Sequence, residues 1–234
     1  MNGKQLKNSI LQWAIQGKLV PQDPNDEPAS VLLERIREEK ARLVKEKKIK
    51  KDKNESIIYR GEDNSYYEKF LATREVKCID EEIPFEIPAT WEWCRLLSIV
   101  SLLGDGIHGT PEYSEGGSVY FINGNNLFDG QILIKPNTKT VSKEEAVKHS
   151  RLLNESTVLV SINGTIGNIA FYSGENVILG KSACYFNLLN GIERKYIKIV
   201  LQTDYFLEYT KRVATGSTIK NVPLSGMRNV LIPI

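Results

Sequence analysis

TVLVSINGTIGNIAFY, residues 157–172, decides the fold class. Its two ends, TVLVSI (157–162) and NIAFY (168–172), are rich in β-branched and aromatic residues, which suit a pleated, half-buried backbone. Asn163-Gly164 stands between them, and an Asn-Gly pair favours a turn because both residues tolerate positive φ. Working outward, the same pattern recurs in SVYFIN (118–123), QILI (131–134) and SACYFNLL (182–189), with further turn pairs at Asn123-Gly124, Asp129-Gly130 and Asn190-Gly191. Beyond them, ERKYIKIVLQTDYFLEYTKRVATG (193–216) places Tyr196, Ile199, Val200, Thr203 and Leu207 at helical spacing, with Gly216 as terminator. NVLIPI (229–234) reads as a short strand running into proline. Together these predict an α+β domain on a mixed or antiparallel sheet with at least one long helix.

The front of the chain has a different period. Leu6, Ile10 and Trp13 recur at spacings of four and three, which is one face of a helix. Gly17 weakens that helix and Pro21 ends it. A second helix starts near Pro28 or behind a Ser30 cap, with Leu32, Ile36 and Leu43 on one side. The narrow stripe leaves two readings open, a solvated helix and a partner-binding or coiled-coil arm. KKIKKDKNES (47–56) is a charge run, read as a solvated face or linker. IIYRGEDNSYYEKF (57–70) brings four aromatics but no periodicity that assigns an element, and EEIPFEIP (81–88) reads as an extended lead-in. The expected division is a helical arm and linker at 1–83 and a sheet domain at 84–234.

Composition sets outer bounds. A chain of 234 residues, 41% hydrophobic, builds one domain with an appendage or two small domains. A net charge of +2 is too mild to mark a nucleic-acid binder by charge alone. Cys78, Cys94 and Cys184 are odd in number and far apart, which argues against a disulfide framework or zinc site and for a reducing cytoplasm. The opening MNGKQLKNS lacks the apolar core of a signal peptide, and no apolar run is long enough to span a membrane.

Catalytic patterns fail one by one. Gly180-Lys181-Ser182 looks like the end of a phosphate-binding loop, but Glu175 stands where that loop needs its first glycine. Asp63, Glu75 and Lys77 have the residue types of a metal-dependent nuclease, without a convincing strand to present them. His108 has no nucleophile elbow near it. No glycine-rich fingerprint follows a strand, so no nicotinamide, methyl donor or other cofactor is implied, and no metal. What remains is a set of polar loops: GDGIHGTPEY (104–113), NGNNLFDG (123–130), SINGTIGN (161–168) and GSTIKN (216–221). Asn pairs bidentately with adenine, Thr packs on the thymine methyl or hydrogen-bonds, and Lys reaches guanine or phosphate. Taken singly, each loop is better explained as a turn, and only the set points to DNA.

At these residues the chain resembles the specificity subunits of type I restriction-modification enzymes. Asp105-Gly106-Ile107-His108-Gly109-Thr110-Pro111-Glu112-Tyr113, followed by Gly117 and Val119-Tyr120-Phe121-Ile122, looks like the family's opening motif. Val158-Leu159-Val160-Ser161 with Gly164-Thr165-Ile166-Gly167 is similar to its central stretch, and Thr215-Gly216-Ser217-Thr218 before Leu224 and Ile232-Pro233 to its closing one. Leu6 to Leu11 and Gly17 to Gln22 look like its helical region. Glu155-Ser156-Thr157 departs from the usual lead into the central stretch. A larger departure is that the family usually carries two recognition domains and this chain one, as a fragment or as a half-subunit that dimerises would.

The resemblance implies a sequence-specific reader of duplex DNA that is not itself an enzyme. Its partners would be modification subunits that methylate adenine and restriction subunits that cut. Base-edge candidates are His108, Thr110, Asn123, Asn125, Asn126, Asn163 and Thr165. Phosphate candidates are Lys139, Lys181, Ser217, Thr218, Lys220 and Asn221. Leu6, Ile10, Trp13, Leu32, Ile36 and Leu43 are candidates for helix-to-helix or partner contact. The alternatives are an assembly module that reads protein rather than DNA, and a metal-dependent nuclease using Glu75, Lys77 and Asp63.

Overall fold

The computed structural model describes residues 2–234. Helices α1 (Gly3–Ile15) and α2 (Ala29–Lys45) precede strands β1 (Ser56–Arg60), β2 (Tyr66–Phe70), β3 (Val76–Cys78) and β4 (Trp93–Arg95). The middle of the chain holds β5 (Val100–Asp105), β6 (Val119–Ile122), β7 (Leu127–Phe128), β8 (Gln131–Ile132), β9 (Thr140–Val141) and helix α3 (Lys143–Lys148). It continues with β10 (Thr157–Ser161), β11 (Ile169–Phe171), β12 (Val177–Leu179) and β13 (Ala183–Leu188). Helices α4 (Arg194–Leu201), α5 (Asp204–Val213) and α6 (Leu224–Arg228) follow, then β14 (Leu231–Pro233). The expected α+β class is what the chain adopts. Two compact units result: Met1–Ser101 with Leu189–Phe206 and Arg228–Ile234, and Leu102–Leu188 with Leu207–Met227. Among the described residues no helix is long and apolar enough to cross a membrane.

In the first unit α1 starts at a capping box. Asn2 Oδ1 accepts the Gln5 N–H and Gln5 Oε1 accepts the Asn2 N–H, both at 2.9 Å, which satisfies two donors the helix leaves unpaired. The Leu6, Ile10 and Trp13 face is exposed, at 44%, 41% and 50%, whereas Ile15 is buried and the helix touches α4. Helix α2 begins after Pro28, as the sequence suggests, and buries Leu33 and Ile36; Leu32 and Leu43 are half-buried. Residues 56–78, which periodicity leaves unassigned, form the antiparallel sheet β1-β2-β3. Beneath it lies a charged network. Arg95 Nη2 donates to Glu68 Oε2 at 2.6 Å and to Glu82 Oε2 at 2.8 Å, Arg95 Nη1 donates to the Asn229 carbonyl at 2.9 Å, and Ser56 Oγ donates to Glu68. Strand β4 pairs with β14, placing Trp93 opposite Pro233, and Phe85, Trp93 and Tyr205 form an aromatic cluster.

The second unit is built on the antiparallel sheet β11-β10-β13, with β5 beside β13. Every residue of β10 is buried, which is the burden of a central strand with a neighbour on each side. A second sheet, β12-β6-β9, is mixed: β12 runs parallel to β6 and β9 antiparallel. Strands β7 and β8 form a hairpin whose two linking residues, Asp129 and Gly130, have φ of 44° and 90°. Two positive φ values define a type I′ turn, whose twist matches the strands it joins. Ile122, Leu127, Ile132, Leu159, Ala170, Leu179, Ala183 and Tyr185 make one core cluster.

One continuous helix over 193–216 is not what forms. It breaks between Leu201 and Asp204 because Thr203 caps a new helix: its hydroxyl donates to the Val200 carbonyl at 2.6 Å and accepts the Phe206 N–H at 3.3 Å. Helical spacing alone cannot see this, since the apolar positions continue across the break.

Breaking a buried ion pair from one side strands the other charge, at a cost of about 3–5 kcal/mol. Glu68→Ala leaves Arg95 with only the half-buried Glu82 carboxylate as a charge partner, and should therefore lower the urea midpoint sharply. Arg35→Ala, which removes an exposed pair with Glu27, should leave the unfolding free energy within about 1 kcal/mol of the parent. Equal small effects in the two variants would contradict the role given to the network.

Candidate nucleic-acid interface

Five polar connections of the second unit meet in series. The Leu179 carbonyl accepts the Ile107 N–H at 2.8 Å, drawing residues 105–110 against the end of β12. The approach needs a glycine, because a Cβ on Gly106 would lie 2.0 Å from that carbonyl oxygen. Gly180 makes room in the same way for the Asn123 side chain, whose Oδ1 would lie 2.2 Å from an added Cβ. Ser182 Oγ accepts the Gly124 N–H at 2.9 Å and donates to Asn123 Oδ1 at 3.0 Å, so the 123–126 loop is tied to the β12–β13 turn. The Ser182 carbonyl accepts the Ile162 N–H at 3.0 Å, which adds the 161–167 loop. That loop holds residues 215–221: the Val222 N–H donates to the Ile162 carbonyl at 2.8 Å, the Gly164 N–H to the Lys220 carbonyl at 3.2 Å, and Asn163 Nδ2 to Asn221 Oδ1 at 3.2 Å.

The sequence candidates occupy this series unequally. His108, Thr110, Asn125 and Thr165 are exposed. Asn123 and Asn163 are half-buried, with one amide atom each bonded within the series and the loop as their first duty. Asn126 is only 5% exposed: its Oδ1 accepts the Asn123 N–H at 3.0 Å, and its Nδ2 donates to the Leu133 carbonyl at 2.9 Å and to Thr138 Oγ1 at 3.3 Å. Its side chain holds the loop's shape. Thr215 and Asn221 exchange backbone hydrogen bonds at 2.8 and 2.9 Å, closing a small loop on which Ser217, Thr218 and Lys220 are exposed. Lys181 is exposed in the turn beside Ser182, and Asn221 is half-buried. Lys139 lies outside the hydrogen-bonded series, its Nζ 6.0 Å from the centre of the Tyr113 ring.

Several residues that sequence reasoning did not single out support these groups. His108 Nε2 lies 2.8 Å from Asp105 Oδ2, and Arg151 Nε donates to the Asp105 carbonyl at 3.0 Å. Glu145 accepts the Glu112 N–H at 3.0 Å and pairs with Lys148 Nζ at 2.8 Å and His149 at 3.2 Å. The Lys148 ammonium first, then the Glu112 amide, hold the Glu145 carboxyl down to about 2. Asp105 carried a signal, standing three residues before His108; Ser182 stood in the dismissed Gly-Lys-Ser run. Arg151 carried none, because Asp105 is distant in sequence, and Glu145 has Lys148 and His149 within one turn but reaches Glu112 from far along the chain.

The other constellations do not assemble. Lys181 and Ser182 lie in a turn between two strands, not at the start of a helix. Lys77 is taken by Glu82 at 2.8 Å, and Asp63 accepts the Tyr67 hydroxyl at 2.8 Å. Among the described residues no group of three or more His, Cys, Asp or Glu side chains is arranged to hold a metal ion.

Comparison with known proteins gives one family. The model for the type I restriction modification DNA specificity domain matches residues 88–234. The chain is 35% identical over 209 residues to the type I restriction enzyme EcoAI specificity subunit of Escherichia coli, covering 86% of this chain and 32% of that protein. It is 28% identical over 228 residues to the EcoEI specificity subunit of the same organism, covering 94% and 35%. Among solved structures, the S subunit of a type I restriction-modification system from M. genitalium aligns with a TM-score of 0.42 at 20% identity, covering 62% of this chain and 34% of that one. The chain thus spans about a third of the length of the curated relatives it matches.

A carboxyl lowered to about 2 stabilises the fold above the ordinary carboxylate range and loses that contribution as the pH falls toward its folded value. Wild type should therefore exceed Glu145→Gln in urea midpoint at neutral pH, and the gap should close progressively below about pH 5. A gap that is flat or widens on acidification would contradict the pairing.

Proposed function

The chain belongs to the type I restriction modification DNA specificity domain family, and from that premise we propose that the joined loops of its second unit read the base sequence of duplex DNA. The observation that carries this reading is the convergence itself. Five connections, distant in sequence, are hydrogen-bonded into one series that leaves His108, Thr110, Asn125, Thr165, Lys181, Ser217, Thr218 and Lys220 exposed. Exposed hydroxyl, amide and imidazole groups offer donors and acceptors to base edges, while lysines and hydroxyls meet phosphates. In this reading Asn123, Asn126, Asn163 and Asn221 hold the readers in place, with Lys139 a flanking phosphate contact.

Energetics fit a module that depends on partners. A net charge of +2 gives weak sequence-independent attraction, so affinity tightens when other subunits clamp the duplex. Each good base contact discriminates by about 1–3 kcal/mol, and a split site read twice would double the total. We assign recognition to residues 84–234 and assembly to the arm at 1–83, where Leu6, Ile10 and Trp13 are exposed for helix-to-helix contact. The partners are a modification subunit that methylates adenine and a restriction subunit, or a second copy of this chain where it acts as a half-subunit. The chain performs no chemistry of its own, and the complex works in the cytoplasm.

Selection of duplexes from a random pool, with the modification subunit present, tests the reading. The parent should enrich a defined sequence. His108→Ala should relax preference at one position, and Lys181→Ala and Lys220→Ala should each shallow the salt slope by about one unit while weakening all sequences alike. No enrichment, or equal affinity for an unrelated polyanion, would overturn it in favour of a protein-reading module.

A further inference from the structure

The strongest local charge in the molecule lies outside the recognition loops. Lys45-Glu46-Lys47-Lys48-Ile49-Lys50-Lys51-Asp52-Lys53 sets six lysines against two acids, a local charge of +4 in a chain whose total is +2. The rest of the chain is therefore net negative. All six lysines are exposed. Lys48 pairs with Glu46 at 2.8 Å; among the described residues the other five take part in no ion pair. Asp52 is turned to its own backbone, accepting the Asn54 N–H at 2.9 Å.

Local structure does not account for these lysines. Lys45 complements the C-terminal end of the α2 dipole, but Lys48, Lys50, Lys51 and Lys53 lie beyond its last turn. Lys47 is stranger. The helix closes with the Lys48 N–H on the Leu43 carbonyl at 2.9 Å and the Lys47 N–H on the Val44 carbonyl at 3.0 Å, which puts residue 47 at φ 57°. That position belongs to glycine, which adopts it without a steric penalty. A lysine is held there against its backbone preference.

We propose that residues 45–53 form a second, sequence-blind contact with the phosphates of duplex DNA. The proposal rests on the DNA-reading function above and extends it beyond residues 88–234, the span the family model matches. The run offers closely spaced ammonium groups and one half-buried apolar residue, Ile49, with no amide, hydroxyl or imidazole side chain among residues 45–53. Its complement is a dense row of single negative charges, where each lysine releases a condensed counterion. The recognition loops supply discrimination and this run supplies affinity.

The test is duplex binding by the full chain together with its modification subunit, between about 50 and 200 mM salt, on target and unrelated DNA. The variant carries Lys47→Gln, Lys50→Gln, Lys51→Gln and Lys53→Gln together. At up to about 0.9 per contact, the slope of log affinity against log salt should become shallower by about three units or more, with the target-to-unrelated ratio preserved. Lys47→Gly alone should raise Tm while shallowing the slope by about one unit, which separates lost contact from lost fold. An unchanged slope in a chain that still selects its target overturns this proposal alone. An unchanged slope with loss of copurification of the modification subunit overturns it too, and assigns the run to an acidic protein surface. A parent chain with no duplex binding at all overturns the function it rests on.

Discussion

Ser182 occupies the crossing on which the second unit's surface depends. Its hydroxyl is both acceptor and donor for the 123–126 loop, and its carbonyl receives the N–H of Ile162. On one side Leu179 receives Ile107; on the other, Ile162 passes the connection to Val222. One turn between β12 and β13 therefore fixes four other segments. Loops free to move would lose conformational entropy on meeting a ligand, whereas segments bonded to one another have lost it already. The polar groups left exposed are consequently presented from a scaffold, which is the requirement for reading a fixed pattern of donors and acceptors.

Burial separates charges that build from charges that are available. Arg95, Glu68 and Glu82 are committed to one another and to the Asn229 carbonyl, and Lys40 is buried with its Nζ donating to the Leu97 carbonyl at 2.7 Å. Glu145 is spent on Glu112, Lys148 and His149. Lys181, Lys220 and the lysines after α2 other than Lys48 have no such duty. A modest net charge thus conceals a sorted distribution, in which a few buried acids are used for architecture and many lysines face solvent.

The fold was legible where period and turn chemistry agreed. Strands β6, β8, β10, β11, β13 and β14 fall inside runs read from β-branched and aromatic content, and Asp129-Gly130 makes the hairpin its composition implies. Helices α1 and α2 lie where the stripe, the glycine and the prolines put them. The sheet at 56–78 escaped because its inward positions mix Ile58 and Tyr66 with Ser56 and Glu68: Ser56 donates to Glu68, and Glu68 is in turn satisfied by Arg95, which lies distant in the chain. The break at Thr203 escaped because a hydroxyl decides it. At the interface, residue types and loops were legible, but the roles of individual asparagines were not. Asn126 looks like Asn125 in sequence, yet one is enclosed by Leu133 and Thr138 and the other is exposed.

Hydrogen–deuterium exchange of the chain with its modification partner, compared with and without target duplex, tests the central claim most directly. The account predicts added protection in 105–110, 123–126, 161–167, 180–182 and 215–221 together, since these segments share one hydrogen-bonded series. Protection absent from all five, or confined to surfaces such as Val147 and Leu152 that lie outside the series, would contradict it.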